Sequence, residues 1–243
     1  MWAKALAWRG ALAVGVFALI TLWLAFEGKL GFYIHPRYNI FTIVMAALGL
    51  ALVALALWDR GSAPHNHRTR ARSVVSGETV SFAFVAVVLG AALVLPPATL
   101  SAATADNRSS GTRASEAVAV DSSEIAVGFE NLTVRDWASI LVQTDDPAFY
   151  RGKTVSVIGT VRDGGSPNVF LLTRFVVTCC AVDAQPVSIP VYWENWESRV
   201  SPEDWIALEG GFVPFDESVV PGRLAVVPTG VSPEEVPREP YLF

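Results

Sequence analysis

The chain has 243 residues, a formal net charge of −5 and 17% charged residues, with a mean hydropathy of +0.41. That hydropathy exceeds what an ordinary soluble protein carries and directs the reading to a membrane class. The two cysteines, Cys179 and Cys180, are adjacent, so a disulfide framework is excluded and the polar part of the chain must fold on its own core.

Three apolar runs crowd the N-terminal part. Ala11 to Phe26 is apolar apart from Thr21, Ile40 to Trp58 carries no charge, and Val80 to Leu95 ends at Pro96-Pro97. A bilayer span needs roughly 20 residues. The runs are therefore expected to be three transmembrane helices over about 8–26, 39–58 and 79–96, within a membrane region 1–97. The third run also fits a buried soluble helix or a cleavable signal segment, with Ala103-Thr104-Ala105 as a cleavage site. Lys4 and Arg9 precede the first run, and Arg60, Arg68, Arg70 and Arg72 lie between the second and third. Basic flanks stay in the cytoplasm, which puts the N-terminus inside and, after three crossings, everything beyond residue 97 in the extracytoplasmic space. None of the runs contains an acid or base, so they make a poor pore. They read as an anchor in the lipid bilayer or as helices that dock on a larger partner.

Residues 98–124 are rich in Ala, Ser, Thr and single charges without an apolar period, and read as a flexible linker. From 125 to 243 the pattern becomes that of a folded domain. Thr133 stands three residues before Asp136, an N-cap ahead of Trp137, Ile140 and Leu141 that ends by Asp145-Asp146-Pro147. Strands follow. Lys153 to Arg162 alternates around Gly159, a glycine that suggests a bulge or a barrel bend. Further strands are expected over Val169 to Cys180, Val187 to Trp193, Trp205 to Val213 and Arg223 to Val227. Five short strands, glycine bends and one short helix suggest a small OB-like β-barrel, with a two-sheet sandwich as the alternative. The fold class expected is thus membrane α plus all-β. The tail from Thr229, with Pro233, Pro237 and Pro240 before Tyr241-Leu242-Phe243, is extended.

OB barrels often bind nucleic acid, but from residue 127 onward 16 Asp and Glu stand against 8 Arg and Lys, a net −8. A nucleic-acid groove requires the opposite sign. Chemistry concentrates instead at Cys179, Cys180 and Asp183 in the string TCCAVDA. Neighbouring cysteines can close a strained, reducible disulfide. As thiolates beside a carboxylate, they can ligate zinc or another transition metal. Plain packing of the cysteines is an equal alternative from residue chemistry alone. The three histidines, His35, His65 and His67, all lie before residue 98, so a serine or cysteine hydrolase in the C-terminal domain would lack its usual base. No phosphate loop, dinucleotide fingerprint or HExxH is present. The expectation is a protein that is not an enzyme.

Several strings together resemble a bacterial membrane family described as permease subunits of the YcgQ-like type. They are Tyr33-Ile34-His35-Pro36-Arg37-Tyr38, Leu95-Pro96-Pro97 to Asn107-Arg108, Arg174 to Ala184 (RFVVTCCAVDA), Asp204-Trp205-Ile206-Ala207-Leu208-Glu209-Gly210 and the Pro240-Tyr241 ending. The TCC-x-x-DA string is the most distinctive, and the resemblance covers nearly the whole chain. It implies an accessory role beside a larger multi-span permease, with a link to metal homeostasis in some members. Two readings result: a non-enzymatic accessory subunit of a membrane permease, handling a metal or small solute, and an extracytoplasmic thiol, metal-binding or redox module centred on Cys179-Cys180.

Overall fold

The structure is a computed structural model; it describes residues 2–59, 90, 99–101, 104, 105, 107 and 129–243. The chain divides into two compact units, Met1–Ala98 and Thr99–Phe243.

In the first unit, helix α1 (Trp2–Phe26) and helix α2 (Asn39–Asp59) form a hairpin. Ala, Leu and Val dominate both and nothing breaks the backbone bonding, so both propagate without internal caps. Small residues let them approach: Gly15 faces Val53 and Gly49 faces Val14. The one polar group in the first run is satisfied locally, since the Thr21 hydroxyl donates to the Phe17 carbonyl at 2.8 Å. The connection is two 3-10 turns, Leu30–Phe32 and Pro36–Tyr38. In the second, the His35 ring nitrogen Nδ1 accepts from the Arg37 N–H at 3.1 Å.

The expectation of three N-terminal transmembrane helices is corrected here. Among the described residues, one helical stretch, Pro36–Ala56, is long and apolar enough to cross a bilayer. The apolar stretch of α1 over Gly10–Phe26 is shorter. The expected third span, 79–96, lies outside the described residues apart from residue 90, as do His65, His67 and most of the expected linker 98–124.

The second unit is built on a five-stranded barrel, so the barrel half of the expectation fits the OB type. Helix α3 (Val134–Gln143) starts where the sequence indicates. Thr133 and Asp136 form a reciprocal capping box, with the Thr133 N–H donating to the Asp136 carboxylate at 2.7 Å. A further short helix, α4 (Pro147–Tyr150), capped by Asp146, follows and was not anticipated. The strands are β1 (Val155–Ser166), β2 (Val169–Val176), β3 (Gln185–Tyr192), β4 (Trp205–Pro214) and β5 (Leu224–Pro233). They pair in the order β1-β4-β5-β3-β2 and the ring closes through β1–β2. Closure between β3 and β5 is parallel at Val191 and Val226; the other barrel pairings are antiparallel. Strand β6 (Tyr241–Leu242) runs parallel to the end of β2.

Alternation explains the core. Val155, Val157 and Val161 of β1, Phe170 and Leu172 of β2, Ile189 and Val191 of β3 and Ile206 and Leu208 of β4 all point inward. The α3 residues Val134, Trp137 and Ile140 join the same core. Trp137 stacks toward Phe129 at 6.0 Å and packs against Phe212 at 5.3 Å, and Phe212 meets Tyr150 at 4.9 Å. Gly159 marks a close approach and not a bulge: a Cβ there would lie 3.0 Å from both Leu172 and the Thr173 carbonyl. The register shifts fall elsewhere, between Asp163 and Ser166 and between Glu209 and Gly210.

Candidate metal site

Residues 177–184 connect β2 to β3. The two strands pair in unbroken register from Val169↔Tyr192 to Val176↔Gln185, so both ends of the connection are fixed. Its flanks are anchored too. Val177 and Ala184 are fully buried in a small cluster with Ala105, Phe175 and Tyr241, and the Val177 N–H donates to the Leu242 carbonyl at 2.9 Å.

Between those anchors the loop folds around one carboxylate. Asp183 Oδ2 accepts from the Cys179 N–H at 2.7 Å and Oδ1 accepts from the Thr178 N–H at 3.1 Å. The Asp183 N–H donates back to the Cys180 carbonyl at 3.0 Å. An Asp side chain that bonds nearby backbone N–H groups is a standard means of fixing a turn. Here it also aims both thiols. Cys179 is exposed, Cys180 half-buried, both are reduced, and their sulfurs are 3.6 Å apart. The ligating atoms of Cys179, Cys180 and Asp183 all lie within 4.8 Å of one another. The structure thus brings together the three residues singled out in the sequence.

The electrostatics follow from that proximity. The Cys179 thiol is pushed up to about 12, first by its hydrogen bond to Asp183 and then by the neighbouring Cys180. Burial works against the Asp183 carboxylate, but hydrogen bonds from the Cys179 thiol and from the backbone N–H groups of Cys179, Thr178 and Cys180 outweigh it and hold the group below its usual value. A thiol so raised is a poor nucleophile at neutral pH, because the thiolate is the reactive form. A divalent cation reverses that penalty by displacing the proton. Two thiolates, each about 2.3 Å from a tetrahedral zinc, would stand about 3.8 Å apart, close to the 3.6 Å found between these sulfurs. Cys179, Cys180 and Asp183 would supply three ligands and leave one position open.

His35, the one described histidine, caps a turn in the first unit. A residue that the sequence reading did not single out is Arg174. It stands on β2 in phase with the core residues Phe170 and Leu172 and is 9% exposed. A basic residue on the inward parity of a strand is the signal that would have found it.

Comparison with known proteins places these observations. Residues 10–111 match the DUF1980 N-terminal domain, and residues 107–243 match the DUF1980 C-terminal domain. No curated protein matches the chain. Among solved structures, an OBody bound to hen egg-white lysozyme is similar at 18% identity and a TM-score of 0.24, over 35% of this chain and 84% of that one. A likeness at that level carries no argument about function.

Proposed function

This chain belongs to the DUF1980 family, and on that footing we propose that it is a non-enzymatic, membrane-attached accessory subunit of a larger permease, whose barrel domain captures zinc or a similar transition metal at Cys179, Cys180 and Asp183. The observation that carries this reading is the pair of sulfurs at 3.6 Å with a carboxylate held beside them. The open fourth position suits a site that receives and hands on a metal, where a closed four-ligand site would retain it.

Membrane attachment is supported by the apolar stretch Pro36–Ala56 and by the outward faces of the helical hairpin, which leave Phe26, Ile40 and Leu52 at 89%, 79% and 66% exposure. Contiguous apolar surface of that kind needs lipid or a protein partner to cover it. The resemblance to YcgQ-like permease subunits supports the partner reading. Placing the barrel domain outside the cytoplasm is part of the same proposal: with Pro36–Ala56 as the span, an N-terminus held inside by Lys4 and Arg9 puts it there. The net −8 from residue 127 onward supports a cationic cargo and argues against nucleic acid.

The test is zinc binding by the reduced full-length chain in mild detergent, beside the variant C179S/C180S. One zinc per chain, lost in a variant that keeps its circular-dichroism spectrum, is the expected outcome. Equal binding by both proteins would remove the metal reading. Mass spectrometry of material purified from native membranes tests the other half: a stoichiometric multi-span permease is expected, and a clean isolated chain counts against the subunit role.

A further inference from the structure

A cavity of about 680 Å³ lies on the barrel away from the cysteine loop, lined by the start of α3, by β1, β4 and β5, and by Arg174 and Leu242. It is a groove open to solvent on one side, with a volume in the range of small-molecule sites, a few hundred to about 1,000 Å³. Its chemistry is mixed. Ile158, Val231 and Leu242 supply apolar wall, Ser156 and Ser232 supply hydroxyls, and Glu209 is the acid.

Arg174 is the base, and its situation is unusual. The residue is buried, and its guanidinium lies 5.2 Å from the centroid of the Trp205 ring and donates to two carbonyls, Ile158 O at 3.2 Å and Glu239 O at 2.9 Å. Its Nε–H is buried without a partner. No carboxylate pairs with it among the described residues. Burial of the uncompensated cation pulls its pKa down to about 10. A buried cation without a counter-charge is costly, and a bound anion relieves that cost. The two carbonyls use one N–H on each terminal nitrogen and leave one on each for such a ligand, on a planar guanidinium of the kind that pairs with carboxylates.

We propose that this cavity binds a small monocarboxylate with an apolar body, its carboxylate on Arg174 and its body against Ile158, Val231 and Leu242. The charge balance selects the class: Arg174 neutralises one negative charge, and Glu209 in the same wall opposes a second. A phosphate dianion is therefore the poorer fit.

The experiment is calorimetric titration and thermal unfolding of the full-length chain in mild detergent. The probes are sodium butyrate and sodium benzoate, compared at equal ionic strength with sodium chloride, inorganic phosphate and the neutral butyramide. Saturable binding and a raised Tm are expected with a carboxylate and not with the controls. R174Q is expected to weaken binding at least about tenfold, the order expected for a charge-assisted bond. Because R174Q also disturbs buried packing, S232W serves as the second variant: it fills the cavity from an exposed position, keeps Arg174, and is expected to abolish binding. The proposal is overturned if neither carboxylate binds saturably, if phosphate or butyramide binds as well, or if binding survives S232W.

Discussion

Asp183 fixes the geometry of the cysteine loop and sets the charge state of its thiol, so one substitution separates its roles. In D183N the side chain keeps one oxygen that can accept from the Thr178 or Cys179 N–H, while the negative charge beside Cys179 is gone. The Cys179 pKa should then fall from about 12 toward the ordinary thiol value. At pH 8 the thiolate fraction rises, and alkylation of Cys179 by iodoacetamide, followed by peptide mass spectrometry, is expected to speed up at least about tenfold. Zinc affinity is expected to move the other way, because a ligand has been lost. Faster alkylation with unchanged zinc affinity would mean that Asp183 shapes the loop but does not hold the metal. Local sequence made this trio legible, since it spans five positions of one hairpin connection. Inward strand parity marks Arg174 as buried, but its surroundings were not legible, because they come from β1, β4 and the tail, with Glu239 65 positions away in the chain.

At the level of elements, alternation located β1 and β4, each with a wet and a buried face along part of its length. Strand β2, buried on nearly every residue, read as an apolar run to Cys180 and ends at Val176. Alternation failed where that pattern fades. The second half of β5, Thr229 to Pro233, is exposed or half-buried and proline-bounded, so it read as tail. Helix α4 has four residues, too few to show a helical period. Its Tyr150 nevertheless ties the element to the end of α3: the hydroxyl donates to the Thr144 carbonyl at 2.6 Å. Burial, with the charge of Asp145 adding to it, raises the phenol to about 12. The folded pKa lies above the unfolded value of 10.0, so the stability this group contributes is full below about pH 10 and is lost as pH rises toward 12. Y150F is expected to cost about 1 kcal/mol near neutrality through the lost hydrogen bond. The gap between wild type and variant in denaturant titrations should close between pH 10 and 12; a constant gap would sink the assignment. A second element-level constraint is Gly210, at the register shift between β4 and β5. A Cβ there would lie within 2.4 Å of the Val227 carbonyl oxygen and 2.9 Å of a Val226 methyl. G210A must push the strands apart and is expected to destabilise by about 1–3 kcal/mol, whereas G230A, whose Cβ would make an ordinary contact with Glu209 at 3.9 Å, should cost less in the same denaturant titration.

For the whole molecule, composition separated an apolar N-terminal part from a β-rich remainder, but counting crossings from apolar length was less secure. Length and hydropathy do not distinguish a span from a helix that packs in a hairpin, and α1 does pack on α2 through Gly15 and Gly49. The side on which the barrel lies decides what the cysteine site can meet: an oxidising space where a vicinal pair can close into a disulfide, or a reducing cytosol where it stays a dithiol. Pro36–Ala56 is the one candidate span among the described residues, and the proposed arrangement, with the N-terminus inside, puts the barrel outside. The native thiols are poor reporters of this, because the raised Cys179 reacts slowly. A single cysteine at the exposed Ser201, in a C179S/C180S background, avoids that. In intact cells it should react with a membrane-impermeant maleimide without permeabilisation, and the protein should stay with the membranes through an alkaline carbonate wash. Labelling only after permeabilisation would put the barrel in the cytosol, where glutathione competes for zinc and keeps Cys179 and Cys180 reduced. The site would then draw on the cytosolic metal pool, and the capture of metal from outside would be lost from the proposed function.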